Sequence, residues 1–169
     1  MINSAWALAL TLPLLAACGP QPSSVRATVL DRQLALDPPQ LWRVEALSAD
    51  GSAQDAVRLC ADTPLMQGFA HPTPAIDGAR CVFERQVVRT SQGYVQRCEL
   101  FGRRYSVHVG VAGDRRSDFT VRMAMLPLQA DHAGVAQTLR YRRLGPCPAG
   151  WKIGDTDKPG HGPRPNALS

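Results

Sequence analysis

The sequence predicts an all-β fold, an antiparallel meander of about seven strands forming a single curved sheet or half-barrel held by two disulfides. Three observations lead there. From Ala79 to Leu126 apolar and polar residues alternate almost without a break, the period of strands that bury one face. Short turn signals separate the runs: Asp50-Gly51, Thr90-Ser91-Gln92-Gly93 and Ala112-Gly113-Asp114. Four cysteines, Cys60, Cys81, Cys98 and Cys147, remain once one near the N-terminus is set aside, and an even number in an exported chain makes two disulfides the default.

The chain divides as follows. Residues 1–17 are uncharged and apolar, too short to span a bilayer comfortably, and read as a signal peptide. They end in Leu15-Ala16-Ala17-Cys18, which resembles the bacterial lipobox, so Cys18 is expected to become the acylated first residue of the mature chain. Gly19 follows, with no Asp directly after the anchor, and the likeness to lipoprotein sorting rules then favours the outer membrane, on the periplasmic face of the envelope. Residues 18–40 carry prolines at both ends and one weak apolar run, Val25 to Leu36; they read as a lipid-anchored tether with room for a short strand or helix.

Residues 41–151 form the predicted β domain. Leu41 to Leu47 places Trp42, Val44 and Ala46 on one face; Ala56 to Cys60 follows a polar loop. Asp62 to Gly78 has no period and holds Pro64, Pro72 and Pro74, with Leu65, Met66 and Phe69 spaced for one short helical turn. Strands then run from Cys81 to Arg89, Tyr94 to Phe101, Arg104 to Val111, Asp118 to Met125 and Gln137 to Leu144. In the central pair Tyr105, Val107, Val109, Phe119, Val121 and Met123 share the apolar face, and Arg104, His108, Thr120 and Arg122 the other. Residues 152–169 have scarcely an apolar side chain and are expected to be a disordered tail.

The cysteine pairing is weighed from the hairpin. A turn centred between Ser91 and Gln92 puts Cys98 opposite Arg85 and Cys81 roughly 13 Å further along at the strand rise. A disulfide needs Cα atoms within about 7 Å. That argues against Cys81 to Cys98 and leaves two pairings, of which Cys60 to Cys81 with Cys98 to Cys147 is preferred, because the first staples the aperiodic loop and the second ties the last strand's exit to the sheet. The cysteines match no zinc spacing and include no C-x-x-C.

Formal charge is +5, and 17 of the 19 basic residues are arginines spread along the chain. Export removes nucleic acid as a partner, leaving the membrane through the lipid anchor and, through the basic surface, an anionic envelope component such as lipid headgroups or acidic glycans. Catalytic patterns are missing from the sequence. His71, His108, His132 and His161 lack ligand spacing, Ser106 and His108 merely neighbour each other on one strand face, and Glu84 and Glu99 sit beside arginines. Neither a cofactor motif nor an enzyme signature emerges.

Leu41-Trp42, Cys60 closing the second strand, Cys81 and Cys98 in successive strands, and Arg143-Leu144-Gly145-Pro146-Cys147-Pro148 together resemble the bacterial domain of unknown function 3617 over about residues 40 to 150. The resemblance implies an exported, disulfide-bonded protein and supplies no mechanism. The proline-bearing connection after Cys60 and the many arginines depart from that pattern. From the residues themselves three functions stay open: a structural or interaction lipoprotein; a module binding a small apolar or amphipathic ligand against Trp42, Phe83, Tyr105, Phe119 and Tyr141; and, least favoured, an enzyme.

Overall fold

The computed structural model describes residues 23–129 and 133–158. The signal peptide, Cys18 and the far part of the tail, residues 159–169, lie outside them. The elements are α1 (Ser23–Leu36), β1 (Gln40–Leu47), β2 (Ala53–Ala61), α2 (Thr63–Phe69), β3 (Ala75–Ile76), β4 (Ala79–Arg80), β5 (Val82–Thr90), β6 (Gly93–Leu100), β7 (Arg103–Asp114), β8 (Asp118–Pro127) and β9 (Val135–Pro146).

Seven strands make one open antiparallel sheet in the order β2-β1-β9-β8-β7-β6-β5. From β5 to β9 it is the expected meander, each strand pairing with the next. The break in sequence order is the β1–β2 hairpin, which joins through β1 to β9, from Gln40 opposite Pro146 to Leu47 opposite Thr138. The edges are therefore β2 and β5, six strand spacings or roughly 29 Å apart across a flat sheet. That distance explains the long connection after β2, which must cross a whole sheet face to start β5.

The crossing segment builds the second layer of the core. Asp62 caps α2 by accepting the Leu65 amide at 3.0 Å, and Pro64 sits in the first turn, where its missing N–H costs nothing. The helix buries Met66 and lays Phe69 over Tyr141, ring centroids 5.7 Å apart. Beyond it Pro72 and Pro74 are fully buried; the Pro72 carbonyl accepts the Tyr94 hydroxyl at 3.1 Å. Asp77 and Gly78, both at positive φ, then turn the two-residue β3 back onto β4, the Asp-Gly hairpin geometry that an aperiodic reading overlooks. Val44, Phe119, Val121, Met123, Met125, Val107, Val109, Leu139 and Tyr141 form the sheet side of this core, each at most 4% exposed.

The predicted faces of β7 and β8 hold: Val107, Val109, Phe119, Val121 and Met123 are buried, Tyr105 is half-buried, and Arg104, His108 and Arg122 are exposed. Their turn lies further out than expected. Both strands continue to Asp114 and Asp118, and Arg115, Arg116 and Ser117 make the turn, with the Ser117 hydroxyl and the Arg116 amide donating to the Asp114 carboxylate. Gly113 stays in the ladder opposite Phe119 at φ +97°, where a Cβ would lie 2.5 Å from the Asp118 carbonyl oxygen.

The disulfides correct the expected pairing: Cys60 bonds Cys147, and Cys81 bonds Cys98. The turn position behind the expectation is right, since Thr90 pairs with Gly93 and Val87 with Gln96. A bulge then intervenes. Between Val87 and Phe83 three residues, Glu84, Arg85 and Gln86, oppose the single Arg97, so Cys98 faces Phe83 instead of Arg85. The slip draws Cys81 back along the partner strand until the two Cα atoms are 5.6 Å apart. Cys60 and Cys147 in turn bridge β2 to the end of β9 with β1 between them in the sheet.

The tail reading is corrected for residues 152–158. Arg58, Leu59 and Cys60 on the β2 edge pair with Gly154 to Asp157: the Cys60 amide donates to the Asp155 carbonyl at 2.9 Å, and Asp157 accepts both the amide and the side chain of Arg58. Polar composition hid this because backbone pairing, and not side-chain burial, orders the segment. In the tether, α1 occupies Ser23–Leu36 and ends before Pro38-Pro39. Asp37 fastens that corner by accepting the backbone N–H and hydroxyl of Thr63 at 3.2 and 2.8 Å.

Candidate binding cleft

The five aromatic residues proposed to line one ligand cavity pack in or against the core, and of them Trp42 also borders the cleft described below. Trp42 meets Phe119 edge-on at 6.0 Å, and Phe119 stacks on Tyr141 at 4.8 Å and 9°. Burial pushes the Tyr141 hydroxyl above its ordinary range. Phe83 and Tyr105 pack against the margin of the same cluster. The core face of the sheet is thus covered by the protein's own chain.

The outer face carries arginines and carboxylates in pairs. Arg140 grips Asp118 with two hydrogen bonds of 2.9 and 2.6 Å, and this holds the Asp118 carboxyl below its usual range. Arg43 donates to Glu45 at 2.7 Å, and Glu45 is the one charged residue in the buried class among the described residues. Ser106 Oγ and His108 Nε2 lie 2.9 Å apart on this face, yet among the described residues no carboxylate hydrogen-bonds the imidazole, so the orienting member of a nucleophilic triad is not supplied. Glu84 pairs with Arg104 at 2.7 Å. Cys60, Cys81, Cys98 and Cys147 are all disulfide-bonded, which makes their role covalent framing.

A cleft of about 760 Å³ opens at the end of the sheet where β1 begins and β9 ends. Its floor is Trp42, Ala61, Met66 and Ala70, the buried margin of the core. One wall is the corner where Asp37 and Asp62 lie, both engaged in the backbone contacts described above. The other is basic: Arg115 and Arg116 from the β7–β8 turn and Arg143 near the end of β9. In the strand order the Arg115–Arg116 turn lies three to four spacings from β2, roughly 14 to 19 Å, and Arg143 on β9 lies two, roughly 10 Å. His71 stands at the rim with its ring 5.8 Å from that of Tyr94.

These arginines escaped sequence reading because four separate segments build the cleft. The available signal was the adjacent Arg115-Arg116 pair at a hairpin tip. None of the three is ion-paired among the described residues. Searches of family models, curated proteins and solved structures found no match to this chain.

Proposed function

We propose that the chain is a lipoprotein of the bacterial envelope whose disulfide-stapled β domain has a structural or interaction role. The observation that carries the domain's part is the filled core: the segment between β2 and β5 covers the sheet with Phe69, Pro72 and Pro74, so the working surfaces are the outside and the rim. Two disulfides support an oxidising, extracytoplasmic location. The anchor rests on Leu15-Ala16-Ala17-Cys18, and the residue after Cys18 favours the outer membrane. The pattern resembling domain of unknown function 3617 adds export and disulfides to this proposal and no activity. Replacing Cys18 by Ser tests it: the variant should leave the membrane fraction, and retention after a high-salt wash would overturn the lipidated form.

A second reading, a module binding a small amphipathic ligand, is supported by the rim cleft and not by the sheet interior. The cleft combines an apolar floor with charged walls, the make-up of a small-molecule site.

A further inference from the structure

We infer that the rim cleft is a site for an anionic amphiphile, a phosphate or carboxylate head joined to an apolar body, with the head held by Arg115, Arg116 and Arg143 and the body laid on Trp42 and Met66. The inference rests on the binding-module reading and specifies its ligand class.

Three features make the case. The three arginines line one cleft from two elements, the β7–β8 turn and the end of β9, which are joined where the Arg143 amide donates to the Ser117 carbonyl at 2.7 Å. Their wall is therefore one built unit, and guanidinium forks suit the oxygens of a phosphate or carboxylate. The nearest carboxylate of that turn, Asp114, accepts the Ser117 hydroxyl and the Arg116 amide, and these bonds, with the nearby charges of Arg116 and Arg143, hold its pKa low; its hydrogen bonds go to the turn and not to the guanidiniums. Asp37 and Asp62, across the cleft, are committed to Thr63 and Leu65, so the carboxylates that line or flank the cleft hold local structure and the arginines keep their donors for an anion.

The floor decides between a bare anion and an amphiphile. Trp42 and Met66 border the cleft while remaining 4% and 6% exposed, so the surface beneath the arginines is the edge of the hydrophobic core. An inorganic anion would leave that surface wet, whereas an alkyl body covers it and adds the burial of each methylene, about 0.8 kcal/mol. An uncharged alkyl chain gains the floor and forgoes the arginines. Only the combined ligand satisfies both.

The test uses the full chain in nanodiscs of phosphatidylcholine and isothermal titration with octyl phosphate, octanoate, octanol and inorganic phosphate. The wild type should bind octyl phosphate or octanoate at least about tenfold more tightly than octanol or inorganic phosphate. The double variant Arg115→Ala/Arg116→Ala, on an exposed turn, should lose about tenfold or more of that affinity while its melting temperature is unchanged, and Arg115→Glu/Arg116→Glu should lose more. Subtracting the heat from empty discs removes simple partitioning. Equal binding of octanol and octyl phosphate, with no effect of the arginines, overturns the anionic specificity while keeping a binding module. Inorganic phosphate binding as tightly as octyl phosphate overturns the amphiphile and leaves a basic patch. No heat beyond empty discs with any probe overturns the inference and the binding-module reading together.

Discussion

The ring of Phe69 lies 5.7 Å from that of Tyr141 and only 20° from parallel to it, although Phe69 comes from the one stretch of the domain with no strand period. The contact fastens the crossing segment to the middle of the sheet, since Tyr141 on β9 is itself stacked on Phe119 of β8. Phe69→Ala should therefore cost about 3 kcal/mol in thermal or urea melts. A loss below about 1 kcal/mol would mean that the segment is held by its prolines and not by this ring.

The two faces of β8 should respond very differently to charge. Val121 is 4% exposed and faces Val111 and Leu139 across the ladder, so Val121→Asp buries a carboxylate among aliphatic groups and should cost at least about 4 kcal/mol. Thr120 is half-buried on the other face, opposite Arg140, and Thr120→Asp should cost less than about 1 kcal/mol. Equal losses in paired melts would contradict the burial pattern.

Removal of each disulfide should rank by the loop it closes. The bonds span 87 and 17 residues, and the chain-entropy model assigns them about 4.5 and 3 kcal/mol. Cys60→Ala/Cys147→Ala should thus destabilise more than Cys81→Ala/Cys98→Ala. Non-reducing peptide mapping gives the direct check on pairing, and a Cys60–Cys81 peptide would contradict the structure.

The ordered start of the tail predicts hydrogen exchange along β2. The amides of Arg58 and Cys60 should both be protected, one by the Asp157 carboxylate and the other by the Asp155 carbonyl. Asp157→Ala should release the Arg58 amide and leave the Cys60 amide slow. Rapid exchange of both in the wild type would return residues 152–158 to a disordered tail.

Acid should reach the Asp50 turn late. Hydrogen bonds from Ser48 and the Ser52 backbone hold the exposed Asp50 carboxyl down at about 2, and its folded value is thus below the unfolded one. Such a group stabilises the fold above its unfolded pKa and loses that contribution as pH falls through the folded value, a window from about 4 to 2 for Asp50. Ser48→Ala should move the Asp50 titration, followed by carboxyl carbon shifts, back toward the ordinary range. An unmoved titration would remove the hydroxyl as its cause.

What the sequence disclosed follows from how local each determinant is. Alternation within β7 and β8 fixed which side chains are buried, because period two depends only on neighbours along the chain. The helical turn at Leu65, Met66 and Phe69 was legible for the same reason. The bulge at Glu84 to Gln86 has no comparable signature: those residues are polar and fit a regular strand equally well, yet their insertion changes which cysteines meet. The union of β1 with β9 joins residues about a hundred positions apart and depends on both strands having a free edge. The cleft was least legible, since Arg115, Arg143, Trp42 and Met66 become neighbours only after that union.

The nested disulfides set a requirement on the order of oxidation. The chain is made from its N-terminus, so Cys60 is available first, then Cys81, Cys98 and Cys147. An oxidant that joined thiols in order of appearance would link Cys60 to Cys81 and leave Cys98 for Cys147, the reverse of the folded arrangement. Native bonding of Cys60 therefore waits until Cys147 has emerged behind β9, with Cys81 meanwhile taken up by Cys98 beside the β5–β6 hairpin, or proceeds through thiol exchange that undoes an early Cys60–Cys81 bond. A cell lacking a disulfide isomerase should accumulate the Cys60–Cys81 species, and oxidation of the completed, folded thiol form in vitro should bypass it.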